Sequence, residues 1–372
     1  MRRLPIRSPK GRVATPTIWV RSARHASLPD VDPQNWPPVS VVMPVRNEEK
    51  HLVAAVQRIM DQAYPGEVEV IIALAPSKDR TAEVAAEIVR QHPQVRVVDN
   101  PRGWTPVGLN LAIAEARHDI LVRVDGHGEL TDGYITLAVQ VMAETGAANV
   151  GGVMDAQGRT PFEQTVAVAY TSRLGLGNST FHLVRSPAGP SDSVYLGVFR
   201  RGPLAEVGGF DETMRRAQDW ELNHRLRKAG HTVWFDPRLR VTYRPRSTMK
   251  ALARQFYETG QWRREVVRRH PETATLRYLA PPIATAGVAV GSVVAPVGIL
   301  GLLGRGPLAR VRWLAVLATL AIAAPIGYAA IVTAGAALLR RELPWRVRWR
   351  LPAVLACMHL SWGAGFLRGL KR

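Results

Sequence analysis

A chain of 372 residues can bury a full-sized core with length to spare. Its formal charge of +19 sits on a sequence that is 47% hydrophobic and carries no aromatic–basic recognition motif, which argues against a nucleic-acid binder. Cys357 is the single cysteine, so an intrachain disulfide is excluded.

Residues 1–38 carry seven Lys/Arg, several prolines and no periodicity or apolar core of signal-peptide length. They read as a mobile basic tail that can brush a lipid surface. Val39–Met43 is a continuous apolar run closed by Pro44, as in a buried parallel strand. Leu52, Val56 and Ile59 give helical spacing over 48–60. Strands are predicted over 68–73, 95–98 and 120–124, with helices over 80–91 and 105–116 between them. Such alternation predicts a doubly wound α/β layer, in which ligands bind beyond the carboxyl ends of the strands. Asp125 and His127 stand at that position. A carboxylate and a second ligand at a strand end can hold a divalent cation, and Gly126 between them leaves room for a diphosphate.

The second half changes character. From Arg238 to Arg269 there are ten Lys/Arg and two acids, a balance drawn to anionic lipid headgroups. Met249, Leu252, Phe256, Trp262 and Val266 can share one face of an amphipathic interfacial helix within 248–278. Residues 279–304 and 313–339 are uncharged stretches of 26 and 27 residues, each longer than the roughly 20 needed to cross a bilayer. Residues 351–367 would span only about 25 Å as a helix, enough for a short span or a re-entrant or interfacial element. The loop 340–350 holds five arginines and two tryptophans, and by the positive-inside rule it faces the cytosol. A hairpin of the first two spans puts the α/β domain on the same side. The expectation is a multi-pass protein of the cytoplasmic membrane with its catalytic domain in the cytosol.

Five motifs occur in order: Val39–Pro44 with Arg46, Asn47 and Glu48; Asp79 with Thr81; Asn100–Gly103 with Asn110; Asp125-Gly126-His127; and Gln218-Asp219-Trp220-Glu221. In this the chain resembles the family 2 glycosyltransferases, and among them the membrane-bound, succinoglycan-type exopolysaccharide transferases. The likeness covers roughly residues 38–270. It implies a GT-A fold over 39–247, a nucleotide-diphosphate sugar donor, Mn²⁺ or Mg²⁺, and inversion at the anomeric carbon. Carried over residue by residue, it implies donor contacts at Pro44, Arg46, Asn47, Glu48, Asp79, Arg102, Gly103 and Asn110. Asp125 and His127 are the implied metal ligands, the imidazole tilting preference toward Mn²⁺. Asp219 is the implied general base, since a single displacement needs one carboxylate to take the acceptor proton.

Two departures from the pattern stand out. Gln218 replaces the usual glutamate before Asp219, and Leu74-Ala75 replace the paired aspartates that read the nucleoside base. UDP is then the expected nucleotide by family frequency alone. Gln255, Trp262 and Arg263 echo the Gln-x-x-Arg-Trp element of processive synthases with altered order and spacing, which argues against a processive polymerase. Together with Gln218 they are expected at the acceptor or membrane interface. The acceptor expected there is a polyprenyl-diphosphate-linked saccharide, in cell-surface polysaccharide synthesis. The competing readings are direct transfer to polyprenyl phosphate and a non-catalytic nucleotide-sugar-binding membrane subunit.

Overall fold

The computed structural model describes residues 36–308, 310–339 and 343–370. The expected basic tail up to residue 35, and Arg340, Arg341 and Glu342 of the arginine-rich loop, lie outside the described residues. The first half runs β1 (Val39–Val45), α1 (Leu52–Met60), β2 (Val68–Leu74), α2 (Thr81–Gln91), β3 (Val95–Asp99), α3 (Thr105–Glu115) and β4 (Ile120–Arg123). It continues through β5 (Glu129–Leu130), α4 (Tyr134–Thr145), β6 (Asn149–Ala156), α5 (Pro161–Tyr170) and α6 (Arg173–Leu176). Then follow β7 (Gly189–Pro190), β8 (Tyr195–Arg200), α7 (Arg201–Glu206), α8 (Gln218–Lys228) and β9 (Val233–Tyr243).

The four strands expected from the alternation are all present and pair in parallel in the order β3-β2-β1-β4. Beyond β4 the sheet becomes mixed. β8 runs antiparallel to β4, β6 antiparallel to β8 and parallel to β9, and β5 and β7 both pair antiparallel with β9. The doubly wound pattern therefore describes only the first half of the sheet. Because β1 is buried on both faces, its side chains feed two cores. Val39, Val41 and Met43 meet Leu52, Val56 and Ile59 of α1 and Ile135 of α4, while Val42 meets Leu109 of α3 and Leu222 of α8.

The first helix starts at Leu52 rather than at Glu48. Asn47 sits in the left-handed region at φ 55°, and the N–H groups of Asn47, Glu48 and Glu49 donate to Ser77, Thr81 and Asp79. With those donors spent on the neighbouring loop, residues 46–51 stay a turn that reaches over the strand ends.

The C-terminal part consists of α9 (Met249–Arg269), α10 (Leu276–Leu302), α11 (Arg312–Leu320), α12 (Ala323–Leu338), α13 (Trp345–Arg348) and α14 (Leu351–Arg368). Two helical stretches, Leu276–Leu302 and Arg312–Leu338, are long and apolar enough to cross a membrane, and only 17% of the apolar window of each is buried against the chain. The second is interrupted at Ala321–Ile322. Pro325 explains the break, because its ring opposes the carbonyl four residues earlier, that of Ala321. The 351–367 segment forms α14, whose Leu351, Val354, Leu355 and Met358 are fully buried. It packs along α9, whose buried stripe is Leu252, Phe256, Gly260, Arg263 and Val266. A Cβ on Gly260 would lie 2.0 Å from the Trp362 carbonyl oxygen, and one on Gly365 1.9 Å from that of Tyr257. The two backbones touch there, and only glycine permits it.

Candidate active site

A cavity of about 650 Å³ opens beyond the carboxyl ends of β1 and β4. One wall is Pro44 near the end of β1 and Arg46 and Glu48 just after it, with Asp125, Gly126 and His127 after β4; Asp219 enters from the first turn of α8, and the far wall comes from α9, α10 and α14.

Arg123 joins the parts. It is the last residue of β4, and its side chain is only 4% exposed. Its Nη2 and Nε donate to Asp125 Oδ1 at 3.1 and 3.3 Å, and its Nη1 ion-pairs with Asp219 Oδ1. One buried guanidinium thus bridges the two carboxylates, fixing where each stands relative to the other. The second oxygen of each carboxylate accepts no hydrogen bond among the described residues. His127 Nδ1 lies 2.7 Å from Glu48 Oε1. That hydrogen bond, foremost, raises the His127 pKa above its ordinary value, with burial opposing and the Asp125 and Glu48 charges assisting. A Cβ at position 126 would fall 2.9 Å from Glu48 Cγ, so a glycine here permits the approach of Glu48.

Asp219 is presented by a strained turn. Ala217, immediately before α8, has φ 58°, and Leu196 on the opposite wall has φ 42°. With Asn47, three of the four non-glycine residues in the left-handed region among the described residues stand at or beside the cavity. Such conformations cost on the order of 1–3 kcal/mol each and persist where the surroundings impose them.

Ten of the sequence-derived candidates line the cavity: Pro44, Arg46, Glu48, Asp125, His127, Gln218, Asp219, Gln255, Trp262 and Arg263. Gln255 donates to the Tyr243 hydroxyl at 3.0 Å and accepts from Arg246 at 3.3 Å. Five candidates are not among the lining residues, because their side chains or backbone are committed within the protein. Asn47 Oδ1 accepts from the Lys78 N–H at 2.8 Å. Asp79 accepts from Thr81 and from the Glu49 N–H, and the Thr81 hydroxyl foremost holds its carboxyl below the usual range. Arg102 pairs with Glu212 and stacks on Trp104. Gly103 turns at φ 66°, and its carbonyl accepts from Arg46 at 3.4 Å. Asn110 clamps the Phe210 backbone, donating to its carbonyl at 2.8 Å and accepting from its N–H at 3.0 Å. These five shape the rim around Arg46 and the approach to α8.

Sequence reasoning assigned no role to Arg123, Trp220, Tyr195, Tyr243, His182 or Arg277, all of which line the cavity. Arg123 alone left a trace, a charge inside the apolar run Ile120–Val124. Burial holds the hydroxyls of Tyr170 and Tyr195 well above the ordinary tyrosine range, so both are neutral walls. A separate cluster, His224, His270 and Glu272, brings its ligand atoms within 4.8 Å of one another. His224 hydrogen-bonds Glu272 at 3.0 Å, and Lys228 lies 3.9 Å from the same oxygen, which accounts for the group without an ion.

Residues 40–208 match the profile of the family described as glycosyl transferase family 2. The succinoglycan biosynthesis protein ExoA of Rhizobium meliloti (strain 1021) is 30% identical over 333 residues, covering 89% of this chain and 94% of that protein. A Methanococcus voltae protein named as a dolichyl N-acetyl-alpha-D-glucosaminyl phosphate 3-beta-D-2,3-diacetamido-2,3-dideoxy-beta-D-glucuronosyltransferase is 23% identical over 231 residues, 60% of this chain and 71% of its own. Among solved structures, residues 1–349 of S. aureus TarS align at a TM-score of 0.43 and 15% identity, over 89% of this chain and 90% of that one.

Proposed function

Because the chain belongs to glycosyl transferase family 2, is a glycosyltransferase and has two C-terminal helical stretches long and apolar enough to cross a membrane, we propose that a GT-A-type domain anchored by those helices moves one sugar, with inversion, from a nucleoside-diphosphate donor to a lipid-linked saccharide at the cytosolic face of the membrane. The observation that carries this reading is the Arg123 bridge, which holds Asp125 and Asp219 in one cavity at the strand ends.

Residues 39–247 form the catalytic domain in this reading, 248–278 the interfacial segment, and the two apolar stretches the anchor. Asp219 is the base. Arg123 occupies Oδ1, so Oδ2 takes the proton from the acceptor hydroxyl as it attacks. Asp125 and His127 would hold a divalent cation. The donor set suits one, because Glu48 engages Nδ1 of His127 and leaves Nε2 for a ligand, the usual way a carboxylate orients a metal-binding imidazole. When bound, Mn²⁺ or Mg²⁺ stabilises the departing nucleoside diphosphate. Arg46, which lines the cavity after β1, binds phosphate oxygens of the donor in this reading. Gln218, Gln255, Trp262 and Arg263 line the acceptor side.

A lipid-linked acceptor is supported by the apolar helices that border the cavity and by the Methanococcus voltae relative, whose name specifies a dolichyl-phosphate-linked sugar. Succinoglycan synthesis by the Rhizobium relative points to cell-surface polysaccharide as the product class. UDP-sugars are the first donors to test. Membranes containing the chain, supplied with a panel of nucleotide sugars and Mn²⁺ or Mg²⁺, should release nucleoside diphosphate from one of them. Asp219→Asn should still bind that donor and lose transfer by on the order of 10²–10⁴-fold; a normal rate would exclude Asp219 as the base.

A further inference from the structure

The cavity has a second end, away from Asp125, where α9, α10 and α14 meet. Among the described residues, eleven buried side-chain nitrogen or oxygen atoms lack a hydrogen-bond partner, and six belong to residues of this wall. They are Ser179 Oγ, His182 Nδ1, Trp220 Nε1, Arg263 Nη1, Arg277 Nε and Trp362 Nε1. Four of the six can only donate, and the serine hydroxyl is free to do so. A buried donor left unmet costs about 1–3 kcal/mol, so such a concentration is stable only when water or a ligand rich in acceptors meets it.

Charge narrows the ligand class. Arg263 is 8% exposed and makes no ion pair with a described carboxylate. Its guanidinium lies between two aromatic rings, 4.1 Å from the Trp220 centroid and 3.7 Å from that of Tyr278. Arg277, in the first turn of α10, has one ion pair among the described residues, with Asp192 at 3.6 Å, and lies 5.1 Å from the Tyr278 ring centroid. Burial, then the Arg277 charge, lowers the His182 pKa to about 3, so this ring is neutral and compatible with the two cations. Asp192 is one carboxylate acting on both guanidiniums, so a neutral sugar would leave this wall with a net positive charge, whereas a phosphate supplies both the charge and the acceptors.

We propose that this wall, centred on Arg263 with Arg277, Trp220 and Trp362, is a second anion subsite that binds the phosphate or diphosphate of the lipid-linked acceptor. This rests on the acceptor reading above and adds to it a holder for the acceptor's charged group, separate from the holder of its reacting hydroxyl. Position supports the assignment: α10 is one of the two bilayer-length helices, and α14 packs against both it and α9. A phosphate attached to a membrane lipid can enter there without passing the metal ligands. Trp220 adjoins Asp219 in sequence, so an acceptor held by its phosphate presents its sugar toward the base.

The test uses the full chain in detergent with EDTA, farnesyl diphosphate as probe, and tryptophan fluorescence, since Trp220 and Trp362 lie in the subsite. The wild type should bind farnesyl diphosphate without metal, and farnesol should not compete. Arg263→Gln should weaken this binding about tenfold or more. Trp362→Phe, which keeps an aromatic ring and removes one N–H, should weaken it less but in the same direction; Arg277→Gln gives the same reading if Arg263→Gln does not fold. Binding of UDP or GDP with Mn²⁺, whichever the wild type takes, should change by less than about twofold in Arg263→Gln and be lost in Asp125→Ala. Equal loss of nucleotide and farnesyl diphosphate binding in Arg263→Gln would assign the wall to the donor and overturn the proposal, as would farnesyl diphosphate binding unaffected by all three wall substitutions. Metal-free farnesyl diphosphate binding in a protein that cleaves no nucleotide sugar would sink the donor reading while leaving the subsite standing.

Discussion

At Arg123 a full positive charge sits on a strand otherwise made of Ile120, Leu121 and Val122, buried to 4% exposure. Burying a guanidinium is expensive unless carboxylates meet it, and here Asp125 and Asp219 both do. Arg123 touches neither donor nor acceptor in the proposed reaction; it is a positioning residue. Arg123→Met keeps the volume and removes the bridge, so kcat should fall on the order of 10²-fold. Arg123→Lys, a point charge that cannot fork between two carboxylates, should recover only a part. A kcat for Arg123→Met within about twofold of wild type would show that the bridge is irrelevant to turnover. The sequence singled out Asp125 and His127 from a strand end and Asp219 from the resemblance of its motif, and all three line the cavity. The common partner of the two carboxylates, Arg123, was not legible there, because it stands 96 positions before Asp219 and only the fold closes that separation.

Among the elements, two contacts decide how the layers are held. Glu69 on β2 has a side chain 1% exposed, and it accepts from the Ser40 hydroxyl of β1 at 2.6 Å, the Arg117 N–H at 2.7 Å and the Arg96 guanidinium of β3 at 2.9 Å. Burial pushes its pKa up, but the Ser40 and Arg117 hydrogen bonds and the Arg96 charge outweigh it, and the net shift is downward. A carboxylate whose folded pKa lies below its unfolded value, about 4.3, stabilises the fold above that value and loses the contribution as pH falls through the folded pKa. Glu69→Ala should therefore destabilise by on the order of 3 kcal/mol at pH 7, with the difference from wild type shrinking in acid. Denaturant titrations at pH 7 and pH 3 check this, and a gap that widens in acid would contradict it. The second contact is the glycine crossing of α9 and α14. Gly260→Val would force the backbones apart, since even a Cβ meets the Trp362 carbonyl at 2.0 Å. The expected result is a loss of transfer together with faster proteolysis between α9 and α14, while Mn²⁺-dependent donor binding at the strand ends persists. Equal loss of both would argue that the two ends of the cavity are not separable.

For the whole molecule, α10 and the broken helix α11–α12 carry exposed apolar side chains, among them Ile283, Val290, Val293, Leu317, Leu320 and Ile331, and the proposed function assigns these faces to lipid. The chain should sediment with membranes and resist alkaline carbonate extraction, and recovery in the aqueous fraction would remove the anchor from the proposed function. The sequence by itself determined the α/β class, the four parallel strands and the helices between them, the two bilayer-length stretches, and the order of motifs that mark the family. Each of these is written in neighbouring residues: hydrophobic period, turn chemistry, run length and spacing. Tertiary structure alone decided that the sheet turns mixed after β4, that Asp79, Arg102 and Asn110 brace the rim instead of lining the cavity, and that α14 packs between α9 and α10. It alone brought Arg123 between two carboxylates and gathered six unmet polar atoms, four of them obligate donors, around one cavity. Those outcomes depend on which distant side chains share a buried volume, and no local pattern encodes that.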